Sequence, residues 1–191
     1  MSEGVRTRRW TRAEYDRMIE VGVFRSGDPV ELLGGELIVG EPQGAAHHTA
    51  IGLIEDALRA ALGPGWVIRS QGPIALDDES EPEPDVAVAR GARRDYSREH
   101  PARPALVVEV AESSLRLDRE YKGSLYARAG LADYWVLDLA DLVLEVYRDP
   151  VADPGAPFGW RYATTARLVA DSHVVPLAAP TVRLRVSDFL P

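Results

Sequence analysis

The chain has 191 residues, 46% of them hydrophobic and 27% charged, which suits one globular domain with a sizeable core and leaves little scope for extended disorder. No apolar run approaches the length that spans a bilayer, and no apolar stretch follows the N-terminal arginines as a secretion signal requires, so a cytoplasmic protein is expected. The absence of cysteine excludes disulfides, thiolate nucleophiles and cysteine-bound zinc; the net charge of −8 argues against a protein that coats nucleic acid, but not against an enzyme whose acidic site is offset by metal.

In chain order, Thr11 caps a helix predicted over Arg12–Val21, with Glu14 completing a capping box. Ser26, Gly27, Asp28 and Pro29 end it. Val30–Leu33 and Glu36–Val39 flank Gly34-Gly35 and read as a hairpin. After a loop over Glu41, Pro42, Gln43 and Gly44, apolar residues recur at helical spacing from His47 to Leu62. Trp66–Arg69 and Pro73–Leu76 read as strand pieces, and Asp77 to Glu83 as a solvated acidic loop.

Asp85–Ala89 is a short β-type run, and Ala105–Val110 is almost continuously apolar, as a central strand is. A helix is predicted over Leu117–Ala129, then strands over Asp133–Asp138 and Leu142–Tyr147. Further β-type pieces follow at Trp160–Thr164, His173–Val175 and Thr181–Val186. The whole implies an α/β domain with a mixed central sheet flanked by helices. The expected core covers about residues 11–148, with a β-rich extension over 149–191.

Three residues stand out chemically. Glu109 is a carboxylate inside an apolar strand, which is costly unless it is paired, metal-bound or at a strand end facing water. Asp85 follows a proline at the entry to the preceding strand. Lys122 is the single lysine among 22 basic residues, and lysine is the compact, tunable cation suited to poising a water. Its plain alternative is a surface salt bridge to Asp118, four residues earlier. Two carboxylates on neighbouring strands and one ammonium are equipment for metal-assisted phosphodiester hydrolysis. Two arginine clusters are candidate phosphate contacts: Arg6, Arg8, Arg9 and Arg12, and a second of Arg90, Arg93, Arg94, Arg98 and Arg103.

The stretch EPEPDVAV, followed by LVVEVAESSLRLDREYKGSLYARAGLADYWVLD, resembles the Uma family of restriction-endonuclease-like proteins within the PD-(D/E)xK nuclease superfamily. The resemblance runs from about Tyr15 to Tyr147 and includes VELLGGELI. It implies a restriction-endonuclease-like core and a Mg²⁺- or Mn²⁺-dependent endonuclease acting on DNA, expected as a homodimer. It places metal on Asp85 and Glu109, with a main-chain carbonyl near Val110 and with Glu36 completing the shell. His48 corresponds to an accessory histidine, although His47 beside it allows a register one residue earlier. The superfamily's lysine position, two residues after the second acid, is Ala111 here; the resemblance places that lysine at Lys122. A second expectation, from the acidity and from Ala111, is a noncatalytic nuclease-fold domain that binds a protein or nucleic-acid partner.

Overall fold

A computed structural model describes residues 7–25, 27–40 and 42–191; the expectations that fall on Arg6, Ser26 and Glu41 lie outside them. The central sheet has six strands in the order β3-β4-β5-β6-β7-β8. These are β3 (Trp66–Ser70), β4 (Val86–Arg90), β5 (Leu106–Ala111), β6 (Asp133–Asp138), β7 (Val143–Ala152) and β8 (Trp160–Val169). Only β5 and β6 pair in parallel; the other neighbours are antiparallel. A parallel pair needs a crossover, and the helical segment 117–128 supplies it.

Period-two alternation along β5 sorts the two faces. Leu106, Val108 and Val110 join Ile51, Ile54 and Leu58 of α2 (Ala45–Leu62) in one core. Val107 and Ala111 join Tyr126, Ala127 and Tyr134 in the other, under α3 (Gly123–Arg128). Glu109 shares the second face by parity, and all six β5 residues are buried. The strand's carboxylate therefore faces the crossover helix rather than water.

Outside the sheet, α1 (Arg12–Glu20) begins at the capping box of Thr11 and Glu14. It packs through Tyr15 on the hairpin of β1 (Val30–Leu33) and β2 (Glu36–Val39), where the Tyr15 hydroxyl donates to the Val30 carbonyl at 2.6 Å. Gly34 turns the hairpin with φ +58°, and its missing Cβ leaves room for the Phe158 ring.

Four local readings change. Pro73–Leu76 is no strand: the N–H groups of Ile74, Ala75 and Leu76 bond to the carbonyls of Pro82, Pro101 and Ser80. The acidic loop is only partly solvated, since Glu81 is 4% exposed and its N–H donates to Leu32 of the hairpin. The predicted helix over Leu117–Ala129 opens as a π-helical stretch, Leu117–Lys122, that continues into α3. The expected boundary at residue 149 falls inside β7, where pairing resumes at Pro150↔Tyr162 and runs on to Ala152↔Trp160. There Asp149 adopts φ +59° and accepts from the Thr164 hydroxyl at 2.6 Å. A short strand pair, β9 (His173–Val174) with β10 (Leu184–Arg185), follows. Phe189 then returns fully buried to the α2 core.

Candidate active site

Asp85 enters β4, Glu109 lies in β5, and the two strands are hydrogen-bonded neighbours. The Val110 N–H donates to Asp85 Oδ2 at 2.8 Å, and the Asp85 N–H donates to Glu109 Oε2 at 3.3 Å. The two carboxylates are thereby locked together by main chain. Lys122 comes down from the π-helical stretch, and its Nζ stands 3.1 Å from Glu109 Oε1. The three residues singled out from the sequence thus converge on one pocket. All three are buried, between 2% and 6% exposed, and they line a cavity of about 290 Å³ with Glu31, Gln43, Glu83 and Asp118.

Other expected residues sit elsewhere. Glu36 lies at the turn end of the hairpin, opposite Leu33, exposed and accepting from the Tyr121 hydroxyl at 2.8 Å. Glu31, two residues from Leu33 toward the strand start, enters the pocket instead and pairs with Lys122 Nζ at 3.1 Å. The histidine register shifts by one: His47 is buried with Nε2 3.0 Å from Asp85 Oδ1, whereas His48 is exposed. The helix explains this, because His47, Ala50, Ile51 and Ile54 share its buried face at three- and four-residue spacing.

Arg90 ends β4, five residues beyond Asp85, which at strand rise is about 17 Å away. Its guanidinium lies over the Trp66 ring at 4.5 Å. Arg93, Arg94, Arg98 and Arg103 are exposed. In the N-terminal cluster, Arg9 donates to the Gly34 carbonyl and Arg12 pairs with Glu81, so part of that basic charge braces the hairpin.

The pocket also uses residues beyond those expected from the sequence. Tyr126 donates to Glu109 Oε1 at 2.7 Å, and Ser114 donates to Asp118 Oδ2 at 2.6 Å. Asp118 is buried beside Lys122, but the ammonium's ion pairs run to Glu31 and Glu109. The π-turn that brings Asp118 and Lys122 inward has no signature in hydrophobic spacing.

Burial pushes the Glu109 carboxyl well above its ordinary range; Lys122 opposes this, and Asp118, Asp85 and Glu31 reinforce it. Asp118 rises to about 6, chiefly through burial. Burial works against the Lys122 ammonium, yet the four surrounding carboxylates outweigh it and hold the side chain charged. One cation faces an excess of acid.

That donor set fits a hard divalent cation, which takes carboxylate and carbonyl oxygens. Among the described residues no three His, Asp or Glu side chains already converge as a metal cage. Mg²⁺ commonly takes one or two carboxylates and keeps several waters, and Asp85 and Glu109 are the carboxylates that could hold it.

A model of the Uma2 family, described as "Putative restriction endonuclease", matches residues 12–179. No curated protein matches the sequence. Among solved structures, a crystal structure of "a putative nuclease belonging to DUF820" from Anabaena variabilis superposes with a TM-score of 0.65 at 18% identity. The match covers 90% of this chain and 96% of that one, and at that identity it shows a shared fold.

Proposed function

The chain belongs to the Uma2 family, and from that premise and the acidic pocket we propose a cytoplasmic, metal-dependent endonuclease that hydrolyses DNA phosphodiester bonds. The observation that carries the proposal is the convergence of Asp85, Glu109 and Lys122, with 2.8 Å from Asp85 to the Val110 N–H and 3.1 Å from Lys122 to Glu109.

Asp85 and Glu109 would hold Mg²⁺ or Mn²⁺, with the Val110 main-chain carbonyl beside them. A bound ion there supplies a Lewis acid for the phosphoryl oxygen and an acidified water. The protein's own groups do the rest. His47 and the Val110 N–H fix the Asp85 carboxylate from two sides. Tyr126 fixes Glu109. The Lys122 ammonium, kept charged by its neighbours, orients the attacking water and stabilises the extra negative charge on phosphorus.

Ala111 explains how the lysine can come from a helix. It is buried against Tyr126 and Ala127 of α3, so a long side chain there would collide with the crossover. Lys122 approaches the same carboxylate from above.

Arg90 lies about 17 Å from Asp85 along β4, and Arg93, Arg94 and Arg98 follow it in the chain. On a duplex running that way they would meet backbone phosphates about five base pairs from the scissile bond. We expect a homodimer, which would offer two such sites to two strands, with contact through the β-rich segment after Asp149.

Thermal unfolding of wild-type and Asp85→Ala protein, with and without millimolar Mn²⁺, tests the site. The proposal expects a rise in Tm for the wild type alone. An equal rise in both proteins would move the ion elsewhere, and the assignment of Asp85 would fall.

A further inference from the structure

We propose that Glu31 is a positioning residue that anchors Lys122, and that the Lys122 ammonium and a divalent cation compete for Glu109; this rests on the reading of Glu109 as a metal ligand.

The ammonium is shared. Its Nζ lies 3.1 Å from Glu31 Oε1 and 3.1 Å from Glu109 Oε1. Both carboxylates are held from behind: Glu31 Oε2 accepts the Glu83 N–H at 2.9 Å, and Glu109 Oε1 also accepts from Tyr126 at 2.7 Å. Glu109 Oε1 therefore already has two donors, which match its two lone pairs. A cation reaching that oxygen must displace one of them. Tyr126 is fully buried in the α3 core, whereas lysine carries its charge on a flexible four-carbon stem. Lys122 is the group that yields, and repulsion between the two cations drives it the same way.

Glu31 decides where the ammonium goes. The lysine stem is long and flexible, so a second attachment fixes where its ammonium rests. Glu31, on the hairpin, provides that attachment and keeps the released ammonium in the pocket.

Calorimetric titration of the full-length protein with MnCl₂, without DNA, reads this as a double-mutant cycle. Lys122→Met should bind Mn²⁺ roughly tenfold more tightly than wild type, because the competitor is gone. Glu31→Gln should bind roughly tenfold more weakly, because the ammonium then rests on Glu109 alone. In the Lys122→Met background, Glu31→Gln should cost less than about threefold. Equal losses from Glu31→Gln in both backgrounds would make Glu31 a direct ligand and overturn the anchor. Unchanged or weaker Mn²⁺ binding by Lys122→Met would overturn the competition. Absence of Mn²⁺ binding in every variant would overturn the metal reading itself, and this inference with it. Thermal melts identify folded variants, and Lys122→Gln serves as a second charge-free probe. If neither lysine variant folds, Glu31→Gln alone still decides, since unchanged Mn²⁺ affinity would contradict the anchor.

Discussion

A single titratable side chain outside the pocket gives a clean reading of burial. Glu81 is pushed up to about 7 by burial, reinforced by Asp16 and Glu83 and opposed by Arg12; His100 Nε2 also faces it at 3.9 Å. The folded chain therefore holds this proton over a range where the unfolded chain has released it. Its stabilising contribution is complete below the ordinary value of 4.5 and is lost as pH rises through about 7. Glu81→Gln mimics the protonated form, so its Tm should match wild type near pH 4.5 and exceed it at pH 8 by about 3–6 °C. Parallel melts across that range check this; identical slopes for the two proteins would contradict it. In the pocket, Lys122→Met should lower kcat by ~10²–10³-fold with a folded protein and intact DNA binding, measured under single-turnover conditions. At this scale Glu109 and Lys122 drew attention because each is chemically out of place, an acid in an apolar strand and a lone lysine among arginines, whereas Asp85, an ordinary acid at a strand entry, stood out only through the family resemblance. Glu31 and Glu36 are both hairpin glutamates in similar surroundings, and only the tertiary position of the turn separates them.

Elements carry those residues to the site, and their errors are instructive. The hairpin, α2, β4, β5 and β6 follow from spacing and turn chemistry, since their apolar periodicity agrees with their final burial. The π-helical stretch was invisible because its spacing differs too little from an α-helix in so short a run. β7 was cut short at Asp149-Pro150, where local turn signals are overridden by cross-strand pairing with β8. The hairpin turn offers a direct test. Gly34→Ala places a methyl group at positive φ and against the Phe158 ring, which should cost about 1–3 kcal/mol, or roughly 3–10 °C in Tm. Because the hairpin also carries Glu31, cleavage should fall together with stability. A variant that melts like wild type would show that the turn tolerates the methyl and that the Phe158 contact is loose.

For the molecule as a whole, charge is separated along β4: the acidic pocket at one end, the Arg90–Arg98 cluster at the other. Arg93→Ala with Arg94→Ala should weaken DNA binding and make the salt dependence shallower by about one to two in slope, while leaving Mn²⁺ affinity unchanged. Fluorescence anisotropy at several salt concentrations measures it; an unchanged slope would remove these arginines from the interface. Overall acidity does not oppose this arrangement, since a cation in the pocket neutralises the carboxylates nearest the phosphate. On the proposed function, the converged acids and lysine cut DNA with a divalent cation. Supercoiled plasmid incubated with wild-type, Asp85→Asn and Lys122→Met proteins, in Mg²⁺, Mn²⁺ or chelator, tests it most directly. Nicked or linear product is expected from the wild type with metal only, and intact plasmid from both variants. Cleavage that persists in chelator, or in Asp85→Asn, would contradict it.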